Sequence, residues 1–191
     1  MTGRTHDLAA LTALNLAVVT TQVPPMTIPT AFVAISANFI GALVPDIDQQ
    51  TSMFWKNVRG GGSLAVLISP LLGGHRFISH SILGIIIFGF LSKFLFNILG
   101  SFILVDMQIV WIAFMIGYIS HLLMDTTTKE GIAWFFPIPW RIGIPPFSFL
   151  RIKTGGWIEK LFVFPGLVFL NGYLIYTYYP KYLEFLRSLI R

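Results

Sequence analysis

The stretch "DMQIVWIAFMIGYISHLLMD", residues 106–125, predicts a membrane-spanning helix that ends in two side chains able to bind a metal ion. A helix needs about 20 mostly apolar residues to cross the hydrocarbon core of a bilayer, and this run has that length. His121 and Asp125 are four residues apart, which places both side chains on one face of the helix. An imidazole and a carboxylate on one face can hold a cation together, although such a pair alone is also typical of a histidine hydrogen-bonded to an acid in a packed core.

The composition of the whole chain is that of a membrane protein. Of the 191 residues, 55% are hydrophobic and 11% are charged, against about 25% charged residues in a soluble domain. The mean hydropathy is +0.76. This predicts an all-α, polytopic membrane helical bundle that forms a single domain over residues 1–191. The absence of cysteine excludes disulfides and thiolate metal sites, and no basic run with interleaved aromatics indicates nucleic-acid binding.

Five segments have the length and apolarity of transmembrane helices. A turn rich in proline, "VPPMTIP", follows the first segment, and Pro165 predicts a kink in the last. Residues 49–74 and 126–157 are too short in apolar length or too rich in proline to cross, so they are expected to be re-entrant or interfacial. The amino-terminal segment has no small-x-small cleavage site, which argues against a secretion signal. The predicted spans are residues 7–23, 29–45, 78–98, 106–124 and 158–178.

The ionisable residues near the span ends share one side of the membrane. In an up-down bundle the starts of odd-numbered spans and the ends of even-numbered spans meet at one face. Eight such residues arrive there: His6, Asp46, Asp48, His75, His80, His121, Asp125 and Glu159. Nine of the 13 basic residues lie on the same side: Arg4, Lys56, Arg59, Arg76, Lys129, Arg141, Arg151, Lys153 and Lys160. Three basic residues follow the last span on the other side, so the positive-inside rule places the polar face in the cytoplasm of a multi-pass inner-membrane protein.

Two further motifs supply the other candidate ligands. In "VPDIDQQ", residues 44–50, Asp46 and Asp48 follow a helix C-terminus, where acids oppose the helix dipole and a cation would offset the penalty. In "HRFISHS", residues 75–81, His75 and His80 would point about 140° apart on one helix, so His75 is expected in the loop. Arg76 between them can hold an anionic oxygen. The alternatives are a solvated helix end and an interfacial histidine pair.

Nitrogen and carboxylate ligands without thiolate suit Zn²⁺, Mn²⁺ or Fe²⁺. Eight candidates exceed one tetrahedral shell, so the sequence predicts two or three ions that share carboxylates. Two neighbouring metal ions are typical of hydrolysis, often at phosphorus.

The motifs "GRTHDLAAL", "VPDID", "HRFISHS", "GYISHLLMDTTTKEGIAWFFPIPWR" and "GGWIEK" resemble the YdjM-like family of bacterial inner-membrane, metal-dependent hydrolases over nearly the whole chain. That family is distantly similar to the zinc-dependent phospholipase C and P1 nuclease superfamily. The resemblance implies that His6, Asp46, Asp48, His80, His121, Asp125 and Glu159 are ligands. It also places His75 and Arg76 in the family's histidine-arginine segment and Arg141 after its aromatic-proline loop, where it would bind substrate phosphate.

Two departures from the soluble enzymes favour two ions over three. Those enzymes use their amino-terminal group as a ligand, whereas residue 1 lies five residues before His6. They also have a histidine four residues before the late glutamate, where this chain has Gly155.

The sequence therefore predicts a hydrolase that cleaves a phosphoester of a lipid or lipid-linked substrate, with Asp46, Asp48, Arg76 and Arg141 in catalytic roles. Lys153 is a further candidate for pairing with phosphate. The alternatives are a metal-ion transporter and a non-catalytic membrane protein whose metal site holds the bundle together. A transporter should carry polar groups near the midplane and on both faces, whereas here they gather at one. The identity of the lipid and the oligomeric state stay open.

Overall fold

The computed structural model describes residues 1–49, 52, 55, 62, 65–66 and 76–190. Within these residues the chain is all-helical with two isolated β-bridges, which confirms the predicted fold class. A 3-10 turn, Val44–Asp48, continues the second helix, and a π-helical turn, Glu159–Val163, precedes the fifth. The α-helices are α1 Gly3–Thr20, α2 Ile28–Leu43, α3 Ile82–Gly100, α4 Met107–Thr126, α5 Phe164–Thr177 and α6 Tyr179–Ile190.

Four helical segments in the described chain are long and apolar enough to cross a membrane: Ile28–Asp48, Ile82–Gly100, Met107–Thr126 and Glu159–Thr177. They agree with the predicted polytopic helical bundle. Residues 7–23 do contribute to a helix, α1, but it is less apolar than the other four. Thr5, His6 and Thr12 are buried in the bundle instead of facing lipid.

Polar side chains cap the amino-terminal ends of two helices. The Ser81 side chain accepts a hydrogen bond from the Gly84 amide at 3.1 Å, so α3 begins after Ser81 and not at the predicted residue 78. Asp106 caps α4 by accepting from the amides of Gln108 and Ile109 at 2.9 and 3.2 Å. Short polar side chains that satisfy exposed amides in this way favour helix starts.

The tightest packing in the bundle joins α2 to α4 through glycine. A Cβ atom added at Gly41 would lie 2.1 Å from the Phe114 carbonyl oxygen, and one added at Gly117 would lie 2.0 Å from the Asn38 carbonyl oxygen. The Asn38 amide also donates to the Ala113 carbonyl at 3.0 Å. Small residues that let two backbones approach are typical of helix contacts in membranes. This contact aligns the end of α2 with the end of α4.

Polar side chains also join α1 to α5. The Asn15 amide donates to Oδ1 of Asn171 at 2.6 Å, and the Asn171 amide donates to the Thr12 hydroxyl at 2.7 Å. A hydrogen bond also joins α4 to α3, because the Trp111 indole donates to the Gly89 carbonyl at 3.0 Å. A few specific hydrogen bonds thus connect neighbouring helices of the bundle.

The segment between α4 and the π-helical turn folds back over the end of α4. Isolated bridges pair Thr128 with Ile152 and Ile132 with Ile142. The buried Arg151 guanidinium donates to the carbonyls of Pro145 and Pro146 at 2.6 Å each. The prolines leave this segment without a long helix, as predicted.

One predicted segment lies mostly outside the described residues, and one observed helix was not predicted. The predicted re-entrant piece, residues 49–74, falls almost entirely outside the described residues. The carboxyl-terminal helix α6 was not predicted, because Lys181, Glu184 and Arg187 give its segment too polar a composition for a span.

Candidate metal centre

Four parts of the chain deliver imidazoles and carboxylates to one end of the bundle. His6 lies in the first turns of α1, and Asp46 lies in the 3-10 turn that follows α2. His80 stands just before α3, and the last turns of α4 carry His121 and Asp125. The histidines and Asp125 are almost fully buried.

The first candidate ligand group consists of Asp46, His80 and His121, whose donor atoms all lie within 4.8 Å of one another. Oδ1 of Asp46 is 3.9 Å from Nε2 of His80 and 3.6 Å from Nε2 of His121. Oδ2 of Asp125 lies 3.7 and 3.8 Å from the same two nitrogens. Ligands about 2.1 Å from a tetrahedral zinc ion are about 3.4 Å apart. These separations are too long for direct hydrogen bonds and suit donors arranged around a shared cation.

The orientation of His121 directs one ring nitrogen into this group. Its Nδ1 lies 2.6 Å from the carbonyl oxygen of Ala42, so Nδ1 carries the proton and donates it to that carbonyl. Nε2 is then the acceptor nitrogen. It is buried and has no hydrogen-bond partner among the described residues. The lone pair of a buried, unprotonated imidazole nitrogen of this kind is what coordinates a metal ion.

The second candidate group consists of His6, His121 and Asp125. Nε2 of His6 is 3.2 Å from Oδ1 of Asp125, and the His6 ring stacks on the His121 ring with centroids 3.7 Å apart. The two groups share the single acceptor nitrogen of His121, which can bind only one ion at a time. Asp125, whose two oxygens face different groups, is the residue better placed to bridge two ions.

Asp48 lies beside His80 and outside both groups. Its Oδ2 accepts from the Arg76 backbone amide at 2.8 Å and from the Ser79 hydroxyl at 2.5 Å, and it is 3.3 Å from Nδ1 of His80. A carboxylate behind the far nitrogen of a ligating histidine fixes its tautomer and ring orientation. The structure thus gives Asp48 a positioning contact, and its predicted role as a direct ligand stays a prediction.

Arg76 is held on the rim of the cluster in a strained backbone conformation. Its φ of 67° lies in the left-handed region, which costs free energy for any residue with a Cβ. The guanidinium pairs with Oδ2 of Asp125 at 2.7 Å and with Glu130 at 3.2 Å, and it donates to the Thr128 hydroxyl at 3.0 Å. The side chain is thus committed to anions of the protein itself, and its predicted contact with substrate phosphate stays a prediction.

Glu159 is buried but lies outside both candidate groups. Its Oε1 accepts from the Thr2 amide and hydroxyl, both at 2.7 Å, and from the Thr5 hydroxyl at 2.6 Å. Its Oε2 accepts from the Gly155 amide at 2.7 Å. Glu159 therefore attaches the first residues of the chain to the start of the last span, and its role as a ligand stays a prediction. The amino group of Met1 contacts Oδ1 of Asp125.

The remaining predicted residues are exposed or lie outside the described chain. Arg141 is exposed, with its guanidinium carbon 5.6 Å from the centre of the Phe77 ring, and Lys153 is also exposed. His75 falls outside the described residues.

Sequence reasoning missed two buried side chains that organise the site. The Ser79 hydroxyl contacts Asp48 and lies 3.0 Å from Nδ1 of His80, and the Tyr118 hydroxyl donates to the Ser79 carbonyl at 2.5 Å. The position of Ser79 next to His80 in "FISHS" was the available signal. Tyr118 had none, because an aromatic residue in a span is ordinarily part of the apolar packing.

These features define a class: a polytopic helical membrane protein that buries a histidine-aspartate cluster at one end of its bundle. The chain belongs to the YdjM inner membrane protein family, whose model matches residues 1–183. It is 31% identical over 176 residues to an uncharacterized protein, YvsG, of Bacillus subtilis (strain 168), and the match covers 92% of this chain and 95% of that one. It is 29% identical over 130 residues to the inner membrane protein YdjM of Escherichia coli (strain K12), covering 66% of this chain and 59% of the relative. No solved structure matches. Family membership supports a location in the inner membrane.

Proposed function

We propose that this protein is a membrane-embedded, metal-dependent hydrolase that cleaves a phosphoester of a lipid or lipid-linked substrate. The observation that carries the proposal is the convergence of Asp46, His80 and His121, whose donor atoms lie within 4.8 Å of one another at one end of an apolar bundle. Ionisable residues inside a membrane bundle are costly and mark functional sites by default.

The donor set fits zinc, with manganese or iron as alternatives. Asp46, His80 and His121 would hold one ion, and Asp125 would contact the same ion or bridge it to a second ion at His6. Two imidazoles and a carboxylate are a common catalytic zinc shell that leaves one coordination position for water. When bound, such an ion supplies Lewis acidity and makes that water a better nucleophile near neutral pH.

The protein residues around the ion have separable roles in the proposed reaction. Asp48 orients His80 through its Nδ1, and the Ala42 carbonyl does the same for His121. Asp46 has 21% of its side chain exposed, whereas the other donors are buried, so the site opens to the outside at Asp46. We infer that substrate enters on this side and that the Asp46 carboxylate accepts the proton released by water.

A lipid substrate is supported by the surface next to the cluster. The loop that follows α4 exposes large aromatic side chains, including Trp140 at 71% and Phe149 at 74%, and Trp157 beyond it is 66% exposed. Aromatic residues of this kind concentrate at the headgroup level of a bilayer. The exposed Arg141 and Lys153 lie in the same segments and would attract the phosphate of a lipid headgroup.

The orientation of the site follows from charge. Nine basic residues belong to the loops and ends on the cluster side, and three follow the last span. We therefore propose that the cluster faces the cytoplasm.

One observation favours a second candidate function, a structural metal site. Oδ2 of Asp125 is 3.7 and 3.8 Å from the two Nε2 atoms and could complete a closed, four-ligand shell. A closed shell has no position for water and stabilises the fold only. The ion pair between Asp125 and Arg76, at 2.7 Å, argues for the open, catalytic arrangement.

Metal analysis combined with a hydrolysis panel separates the two. The purified full chain is loaded with zinc, and its metal content and its release of phosphate or phosphorylated headgroup from phospholipids and polyprenyl phosphates are measured. The catalytic proposal expects bound zinc and turnover of at least one lipid, with both lost in Asp46→Asn.

The matched control is Asp106→Asn, at the far end of α4, where asparagine also caps a helix. It should keep both zinc and turnover. Zinc binding without turnover on any lipid would favour the structural site, and turnover unaffected by Asp46→Asn would contradict the proposal.

A further inference from the structure

The end of the bundle away from the histidine-aspartate cluster contains an apolar cavity that opens to the surface. It has a volume of about 430 Å³ and lies among α1, α2, α4 and α6. Most of its walls are aliphatic or aromatic, and its lining includes Leu14, Val18, Ile35, Ile112, Phe185 and Leu186. Binding cavities for small ligands are of this size and are mostly apolar with a few polar groups.

The polar groups of this cavity are few and specifically placed. Asn15, Gln22 and Tyr182 contribute to the lining. The Tyr182 hydroxyl is buried and has no hydrogen-bond partner among the described residues. A buried hydroxyl without a partner is costly, and a ligand oxygen that accepts a hydrogen bond from Tyr182 would remove that cost.

The mouth of the cavity is charged. A neighbouring cavity of about 490 Å³ shares Val18, Gln22 and Phe185 with the first and adds Lys181 and Glu184. The Lys181 ammonium donates to the carbonyls of Val19 and Thr21 at 2.8 and 3.0 Å, which uses two of its three N–H bonds. Arg187 lines the adjoining part of the surface together with Glu184. The combined cavity is thus apolar inside and mainly basic at its mouth.

We propose that this cavity binds one phospholipid molecule. An acyl chain occupies the apolar interior, an ester oxygen accepts a hydrogen bond from Tyr182, and the phosphate lies at the mouth beside Lys181 and Arg187. A bound chain restores the dispersion contacts that the walls of a void lack. The site is separate from the proposed hydrolytic site, which lies at the other end of the same helices.

The test counts phospholipids bound to the full chain by native mass spectrometry. The protein is purified in digitonin and titrated with mixed phosphatidylethanolamine and phosphatidylglycerol. His121→Ala is used as the background in every sample, so that a lipid held at the metal cluster does not enter the count. We expect one tightly bound phospholipid per chain.

Two variants and their matched controls decide the outcome. Ala17→Phe fills the cavity and should weaken binding about tenfold or more, whereas Ala13→Phe, on the same helix outside the lining, should not. Tyr182→Phe keeps the ring and should weaken binding severalfold, with Tyr179→Phe as its control. Equal phospholipid binding by Ala17→Phe and Ala13→Phe overturns the proposal. A protein that forms a dimer through this face and binds no phospholipid there also overturns it.

Discussion

The two ends of this bundle are built from the same helices and have opposite chemistry. At one end, the turn after α2 carries Asp46 and the last turns of α4 carry His121 and Asp125, all members of the histidine-aspartate cluster. At the other end, the same two helices begin among aliphatic side chains around a cavity of about 430 Å³. Between them, Gly41 and Gly117 hold the helices in close contact.

The difference shows where the chain retains costly groups. Burying a carboxylate or an imidazole in a membrane bundle opposes folding unless a partner ion offsets the cost. Three almost fully buried histidines and Asp125 at one end are hard to explain by stability alone, whereas the apolar end needs no such explanation. Removing a ligand should therefore affect metal binding, and changing the packing should affect the fold.

The largest effect is expected from His121→Ala. The change removes the one nitrogen that belongs to both ligand groups, so zinc affinity should fall by more than the roughly 10–100-fold loss expected from removing an outer partner. The purified protein should then retain less than about a tenth of the wild-type zinc. Inductively coupled plasma mass spectrometry measures the metal per chain. Ser120→Ala changes a buried neighbour whose hydroxyl donates to the Gly117 carbonyl of the same helix, and this variant should keep its zinc. Zinc content equal in the two variants would contradict the site.

Gly117→Leu should destabilise the bundle most among packing changes. A side chain at this position collides with the Asn38 carbonyl, and overpacking of a core costs roughly 1–3 kcal/mol or more. Thermal unfolding in detergent followed by circular dichroism measures the loss. The control is Gly166→Leu, where an added Cβ atom has no heavy atom of the described residues within 4 Å. A wild-type transition in Gly117→Leu would refute the close contact of α2 with α4.

Asp48→Asn should weaken zinc binding about 10–100-fold without unfolding the protein, because the amide keeps the shape of the carboxylate but orients His80 less strongly. Competition with a zinc-binding dye measures the affinity. A complete loss of the ion would instead indicate that Asp48 is itself a ligand, as the sequence predicted. An unchanged affinity would show that its contact with His80 has no consequence.

Asn171→Ala should have the smallest effect. It removes the hydrogen bonds that join α5 to α1, and such bonds in membrane proteins contribute about 0.6–2 kcal/mol. The same unfolding assay detects this as a shift of a few degrees, with no change in zinc content. Asn97→Ala, at an exposed position, serves as the control. A loss of zinc in Asn171→Ala would show that the contact between α1 and α5 is coupled to the metal site.

The sequence predicted the helical class and the gathering of the site, because both follow from local patterns. Apolar runs give the spans, and up-down connectivity gives the shared end of His6, Asp46, His80, His121 and Asp125. The roles within the site depend on tertiary contacts that no spacing encodes. The contact of Asp48 with His80, the pairing of Arg76 with Asp125 and the attachment of Thr2 to Glu159 all join residues that are distant in sequence or lie in different loops.

The same limit applies to two of the helices. Residues 7–23 were predicted as a span from their apolar content and form most of α1, but that content does not reveal that α1 buries Thr5, His6 and Thr12 in the bundle. The helix α6 was missed because Lys181, Glu184 and Arg187 make its segment too polar for a span, and composition alone does not reveal that Tyr182, Phe185 and Leu186 line an apolar cavity.

X-ray absorption spectroscopy at the zinc edge of the loaded full chain tests the central claim most directly. We expect a shell of nitrogen and oxygen neighbours with two imidazoles, falling to one imidazole in His80→Asn. A shell without imidazole, or a protein that holds no zinc after loading, would contradict it.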